Sequence, residues 1–407
     1  MIQWEKKDGT RLPVKSWCRD IEDGALQQAL NLANHPVVVD HVALMPDAHV
    51  GYGMPIGGVI ACSGAVIPNA VGVDIGCGMG AIRTSVNAES LGDRKALRLI
   101  IEELKMRVPV GEGKAREYAI EWDGFEAWLD GLGSRDKPGW FTERGWQLDA
   151  CNLGTLGGGN HFIEIQKSEN GEVWLMLHSG SRNLGYRVAN YYHKEALKLN
   201  ATMNSVLPDP ELAYLPLDVE LGQDYVRDMN FALTYAAENR RLMMGHLKKV
   251  MAEHVAGIEF LAEVNIHHNY AAEEEHGGRS VWVHRKGATS ARLGETGIIP
   301  GSMGTSSYIV EGLGNPESFE SCSHGAGRRM GRAAACRQLS EEDCDKAMEG
   351  VVFDRWGKSD IRGTDKKKLL DLSEAPLAYK DIDAVIEAEL DLVKPMVKLK
   401  PLAVVKG

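Results

Sequence analysis

Between residues 71 and 79 the chain reads Val71-Gly-Val-Asp74-Ile-Gly-Cys77-Gly-Met79, a carboxylate and a thiol three positions apart with three glycines around them. Glycine reaches backbone angles closed to other residues, so such a run is bent backbone carrying two ligating groups. Histidines recur in the same kind of setting far along the chain: Gly159-Asn160-His161, Leu177-His178-Ser179-Gly180, Asn265-Ile-His267-His268-Asn269 and Cys322-Ser-His324-Gly-Ala-Gly-Arg328. A fold that uses them together has to draw ligands from distant parts of the chain. One carboxylate, one thiolate and several imidazoles suit a borderline transition metal better than magnesium or calcium. The competing reading is a buried small thiol, a turn-capping aspartate and satisfied core histidines.

The 45 glycines in 407 residues exceed an average usage of roughly 7%. The excess lies in these segments, which makes it loop architecture and not low complexity. A formal charge of −11 argues against a protein that simply coats nucleic acid, yet leaves room for a local basic groove. Seven cysteines at irregular spacing predict no disulfide framework and a reducing compartment. The start, Met1-Ile-Gln-Trp-Glu-Lys-Lys, lacks a signal-peptide h-region, and nowhere do about 18 apolar residues run together, so a cytoplasmic enzyme with no membrane partner is expected.

Residues 36 to 86 alternate β-forming runs with Gly, Pro and Asp, predicting short strands at 37–40, 42–45, 57–60, 65–67 and 81–83. Leu97, Ile100, Ile101 and Leu104 share a helical face, which predicts a helix over 96–106, while the Trp- and Gly-rich stretch 120–150 reads as irregular. Residues 161–165 and 173–178 flank a polar turn and predict an antiparallel hairpin whose ends bring His161 and His178 close together. Helices are predicted at 187–199 and 222–256, the second broken or paired with the first, and strands at 260–266 and 280–284. Further helices are predicted at 325–339, 341–348 and 381–396. The alternation never settles into βαβ units, and no repeat or linker divides the chain. The expected fold class is therefore α+β, one mixed domain over residues 1–407.

His324 precedes Gly-Ala-Gly and a predicted helix carrying Arg328, Arg329 and Arg332. An anion bound there would meet backbone N–H groups, the positive helix end and guanidinium groups, which suits a histidine attacking phosphorus with Arg328 one helical turn away. The alternative is a capping histidine on a basic solvated helix, since the glycines match neither common phosphate-loop pattern. Arg285, Lys286 and Arg292, with Arg182, offer phosphate contacts or form a solvated loop, and Lys366-Lys-Lys368 reads as a solvated charge run.

Several motifs occur in a family-like order: Met45-Pro-Asp-Ala-His-Val-Gly51, Val71 to Met79, Gly154-Thr-Leu-Gly-Gly-Gly-Asn-His161, His178-Ser-Gly-Ser-Arg182 and Asn265 to Asn269. Arg285-Lys-Gly-Ala288, Pro300-Gly-Ser-Met-Gly304, Ser321 to Arg328, Ala378-Tyr-Lys-Asp-Ile-Asp383 and Val405-Lys-Gly407 follow. Together they resemble the RtcB-type RNA-splicing ligases over nearly the whole chain. The resemblance implies an RNA ligase that joins 3′-phosphate or 2′,3′-cyclic phosphate ends to 5′-hydroxyl ends in tRNA splicing or RNA repair. It implies GTP and two Mn²⁺ ions, a GMP-histidine intermediate, a guanylylated RNA 3′ end and a central dinuclear metal cleft, with an archease-like activator as an expected partner. By the same resemblance Cys77 bridges the ions, His178 and His268 complete one site, and Asp74 and His161 the other. Of the adjacent histidines it is the second, not His267, that matches the family ligand. His324 matches the nucleophile. Asn160, Arg182, Lys286 and Arg328 match phosphate- or RNA-end-binding positions, and Asp47, Phe162, Glu164, Asn269, Ser302, Met303, Tyr379 and Lys406 match nucleotide-holding ones. Asn183 stands where the family commonly has glycine. Two rivals use the same residues differently: a dinuclear metal phosphoesterase without a covalent site at His324, and a non-catalytic RNA-binding protein, disfavoured by the acidic balance.

Overall fold

The computed structural model describes residues 2–4, 10–362 and 368–407, and Lys366 and Lys367 of the basic run lie outside the described residues. Two largely antiparallel sheets carry the architecture. A six-stranded sheet is ordered Ile2–Trp4, Val14–Ser16, Val38–His49, Ile56–Cys62, Arg279–Lys286 and Asn269–His276. A seven-stranded sheet is ordered Phe260–His267, Gly78–Asn87, Glu172–Ser179, Phe162–Ser168, Val393–Lys406, Ser307–Gly312 and Thr296–Ile299. Only Val14–Ser16 beside Val38–His49 pairs in parallel within these two sheets. The mixed α+β class expected from the sequence is the one observed.

One of the passages between the two sheets takes a single residue. Strand Phe260–His267 pairs with Gly78–Asn87 in the seven-stranded sheet, and Asn269–His276 pairs with Arg279–Lys286 in the six-stranded one, so His268 sits at the crossing. Its N–H donates to the Cys77 carbonyl oxygen at 2.9 Å, which ties the crossing to the glycine-framed loop.

Helix Arg94–Arg107 forms as predicted: Asp93 caps it by accepting from the N–H groups of Lys95 and Ala96, and Leu97, Ile100, Ile101 and Leu104 are its buried face. That face joins Met243, Met244, Leu247 and Val250 of helix Glu220–His254, each side chain contributing about 1.5–3 kcal/mol by leaving water. Helix Glu220–His254 runs unbroken for 35 residues and packs on Leu184–Thr202. No helix among the described residues is long and apolar enough to cross a membrane.

Three sequence expectations fail. The stretch 120–150 contains helices Asp123–Leu132 and Glu143–Asn152, because the Trp128 and Trp140 indoles and the Tyr192 hydroxyl donate to buried Asp228 at 3.1, 2.7 and 2.6 Å and anchor the segment to the long helix. The last predicted helix stops early. Only Ile382–Ala388 is helical, and Val393–Lys406 is a strand inserted between Phe162–Ser168 and Ser307–Gly312. Around His324 the predicted helix over 325–339 forms only at Arg332–Gln338. Residues before it are held out of a helix by neighbours: Ala326 N–H donates to Pro300 O at 2.9 Å, Arg329 N–H to Ala378 O at 3.0 Å, and Gly327 O accepts from Lys380 N–H at 2.9 Å.

Candidate functional site

The Asp74–Cys77 turn closes with Cys77 N–H donating to Asp74 O at 3.1 Å, and Gly76 takes a φ of +78° that favours glycine. Arg240, on the long helix and fully buried, holds this turn from below. Its guanidinium donates to Gly76 O at 2.8 Å, Ser179 O at 2.9 Å and Asn265 Oδ1 at 2.7 Å. It therefore ties the turn to the end of strand Glu172–Ser179 and to the strand before the crossing. Burial pushes its pKa down to about 10, against the opposing pull of Cys77 and Asp74.

Five ligating groups converge above it. Cys77 Sγ lies 3.5 Å from His161 Nε2 and 3.2 Å from His178 Nε2. Asp74 Oδ2 is 3.4 Å from His161 Nε2 at one end, and His268 Nε2 is 3.3 Å from His178 Nε2 at the other. The groups thus form a row, Asp74, His161, Cys77, His178, His268, with the thiol in the middle. His161 Nδ1–H donates to Leu156 O at 3.0 Å and His178 Nδ1–H to Asn160 O at 3.1 Å, which fixes both tautomers with the Nε2 lone pair facing inward. Burial and the Asp74 charge push the Cys77 thiol well up, with Arg240 acting the other way. Burial would raise Asp74 too, but the hydrogen bond and charge of His161 and the charge of Arg182 hold it well below the usual range. The donor set fits a cation: buried sulfur and imidazole lone pairs face one another within 4.8 Å, and a cation would favour the thiolate that burial disfavours. A side chain at Gly180 would displace the Asp74 carboxylate, since a Cβ would stand 2.3 Å from Oδ2.

His324 stands beside the row, its ring 4.9 Å from that of His268. Asp47 Oδ2 accepts from His324 Nδ1–H at 2.6 Å and from its backbone N–H at 3.2 Å, leaving Nε2 as the ring's free nitrogen. Gly287, at a φ of +59°, lets the chain pass close: a Cβ there would lie 3.0 Å from His324 Cε1. A cavity of about 180 Å³ opens from His324, lined among others by Asn160, Phe162, Ser302, Met303, Tyr379 and Lys406. One wall is an ion cluster. Glu374 pairs with Arg328 at 3.2 Å, Arg332 at 2.9 Å and Lys406 at 3.3 Å.

Comparison with known proteins decides the kinship of this arrangement. The family model described as tRNA-splicing ligase RtcB matches residues 28–407. The chain belongs to the RtcB family. The RNA-splicing ligase RtcB of Escherichia coli (strain K12) is 42% identical, covering 97% of this chain and 97% of that protein. The tRNA-splicing ligase RtcB of Nanoarchaeum equitans is 33% identical over 99% of this chain and 98% of its own, and the Mycobacterium tuberculosis RNA-splicing ligase RtcB is 32% identical over 93% and 100%.

Not every residue matched to an RtcB role faces the cavity. Asp47 is fully buried and turned to His324, not into the nucleotide space. Glu164 is buried beside Gln166, its pKa pushed up to about 8 by burial, and lies off the cavity lining. Asn269 braces the Asp74–Cys77 loop, donating to Asp74 O at 3.0 Å and accepting from Gly287 N–H at 2.8 Å. Arg182 lies 3.2 Å from the His161 ring, behind the row. Lys286 spends its ammonium on Tyr52 O at 2.6 Å and Asn69 O at 3.0 Å, and burial pushes it down to about 7. His267 points away from the row, its Nδ1 3.1 Å from Arg240. Since no helix starts at His324, an anion there would meet guanidinium groups without a helix end, and Arg328 reaches the cavity from an extended segment that bridges to Tyr379. Asn183 adopts a φ of +71°, a left-handed angle asparagine tolerates, which explains how it substitutes for the family's common glycine. Sequence reasoning missed Arg240 and Glu374. Arg240 was findable, as a charge on the apolar face of a long helix; Glu374, in an unpatterned loop, gave no signal.

Proposed function

We propose that this protein is a GTP- and Mn²⁺-dependent RNA ligase, residues 1–407 acting as one ligase domain. It would join RNA 3′-phosphate or 2′,3′-cyclic phosphate ends to 5′-hydroxyl ends, in tRNA splicing or RNA repair. The observation that carries this reading is the row of donors with Cys77 at its centre, next to a histidine whose Nδ1 is held by a buried carboxylate. Asp74 and His161 on one side, and His178 and His268 on the other, would each share Cys77 to hold one ion. When bound, two Mn²⁺ ions supply positive charge that orients the triphosphate and offsets charge on the α-phosphate.

His324 Nε2 attacks the α-phosphorus of GTP; an N–P bond forms as the bond to pyrophosphate breaks. Asp47 keeps the proton on Nδ1 and offsets the positive charge the ring acquires. An oxygen of the RNA 3′-phosphate then attacks the histidine-bound phosphorus, the N–P bond breaks, and GMP passes to the RNA. The 5′-hydroxyl oxygen attacks the RNA 3′-phosphorus, its proton passes to solvent, and GMP leaves. A cyclic phosphate is first hydrolysed to a 3′-phosphate. Phe162, Ser302, Met303, Tyr379 and Lys406 line the space for guanine and ribose, and Arg328 with Asn160 meets phosphate.

The test is incubation with Mn²⁺ and GTP labelled on the α-phosphate. Acid-labile, alkali-stable label on the wild type and none on His324→Ala is expected. Label that survives in His324→Ala, or none on the wild type, would leave a metal phosphoesterase as the better reading.

A further inference from the structure

The metal-loop side of His324 opens on a second, wider groove of about 730 Å³ that passes Asp74, Cys77 and His268. Its wall carries three exposed apolar side chains: Val50, Tyr52 and Val73 are 44, 71 and 36% exposed. The backbone beneath Tyr52 is not loose. Its carbonyl accepts from Lys286 Nζ at 2.6 Å and from Met54 N–H at 2.7 Å. Gln28 brackets Gly51 on both sides, donating to its carbonyl at 2.6 Å and accepting from its N–H at 3.1 Å. Val50 N–H donates to Glu22 at 2.6 Å, and Met54 is fully buried. A clamped turn thus presents a phenol ring that makes no aromatic pair or hydrogen bond among the described residues.

Arg329 lines the same groove and is exposed. Its neighbours Arg328 and Arg332 are engaged with Glu374, whereas the Arg329 guanidinium has no carboxylate or hydrogen-bond partner among the described residues. In a chain of net charge −11, a groove lined by both an uncommitted guanidinium and an exposed aromatic ring is selective. A planar apolar surface and a fork of N–H donors recognise the two faces of a nucleotide, base and phosphate. A peptide would use the apolar wall but has no systematic need for the arginine.

We infer that this groove holds the terminal nucleotides of an RNA strand entering the site, with a base stacked on Tyr52 and a backbone phosphate on Arg329. The inference rests on the RNA-ligase reading and adds the residues that position its substrate. The same groove is lined by Asp74, Cys77, His268 and His324, so a strand seated along it runs past the row and His324.

The test is fluorescence anisotropy of a labelled single-stranded RNA ending in 3′-phosphate, together with ligation kinetics. Tyr52→Ala should weaken RNA binding roughly tenfold and raise KM for RNA more than it lowers kcat, while Tyr52→Trp binds as the wild type does. Arg329→Gln should lower the slope of log K against log salt by about 0.7, the loss of one phosphate contact on a single strand. Melting temperatures of the variants separate these effects from misfolding, and Tyr52→Phe, which keeps the ring, should retain binding. Wild-type affinity in Tyr52→Ala and an unchanged salt slope in Arg329→Gln overturn the inference. The ligase reading fails separately, on absence of GMP label on wild-type His324, a measurement made without RNA.

Discussion

Replacing Asp47 with asparagine tests how His324 is held. Asp47 is fully buried, and the two bonds its Oδ2 accepts both come from His324, from Nδ1 at 2.6 Å and from the backbone N–H at 3.2 Å. The substitution keeps the volume and removes the charge. A hydrogen bond to a charged group is worth about 1.5–3 kcal/mol against about 0.5–1.5 for a neutral one, so the loss is about 1–2 kcal/mol, or about 5- to 30-fold in rate. If the carboxamide turns its NH₂ toward Nδ1, the ring proton moves to Nε2 and caps the attacking atom. The loss then approaches the roughly 10⁴-fold known for the same change behind a protease histidine. The assay is single-turnover labelling of the protein at saturating α-labelled GTP. A labelling rate within twofold of wild type, coupled to weaker GTP binding, would refute the reasoning and assign Asp47 to the nucleotide, as the family resemblance implies.

Cys77→Ala should lose both ions after dialysis, whereas His161→Ala should lose mainly one; a full metal complement in Cys77→Ala contradicts the shared thiolate. Arg240→Met strips donors from Gly76 O and Ser179 O, each loss costing about 1–3 kcal/mol, so melting temperature and metal affinity should fall together, with partial recovery in Arg240→Lys. Unchanged metal affinity in a folded Arg240→Met would show that the guanidinium is only a core group. Gly287→Ala places a Cβ 2.4 Å from Ile56 Cγ2 and 3.0 Å from His324 Cε1, and should abolish labelling while metal content persists. Burial alone would raise Glu374, but Lys406, Arg332 and Arg328 bring it down to about 2 from 4.5. Its folded pKa is the lower one, so its stabilisation is complete above about pH 4.5 and is lost as pH falls toward 2. Thermal melts of Glu374→Gln should be flatter over that window, and an acid limb identical to wild type would count against the ion cluster.

Helix Arg94–Arg107 and the hairpin around Ser168–Gly171 were legible because their signals are local: a 3.6-residue period in one and a polar turn between β-forming runs in the other. That hairpin also brings the His161 and His178 rings to 5.2 Å. Where long-range partners decided the structure, the local signal misled. Val393–Lys406 pairs on both edges with strands more than 80 residues away, and the segment holding Asp123–Leu132 and Glu143–Asn152 is anchored by Trp128 of the first helix and Trp140 of the loop between them, both bonded to Asp228. The loop after His324 failed for the same reason: its backbone groups bond to Pro300, Ala378 and Lys380 in place of a helix's own turns.

The sequence alone determined which groups are available, because a ligating side chain set beside glycine, asparagine or serine is a local pattern that reads directly: Asp74, Cys77, His161, His178, His268 and His324. Only the tertiary structure decided their order and aim. The row with Cys77 in the middle, the facing of His268 toward it and of His267 toward Arg240, and the turning of Asp47 onto His324 follow from a chain crossing between two sheets and from a buried arginine on a distant helix. Those are contacts between residues far apart in sequence, and their geometry exists only once the sheets have formed.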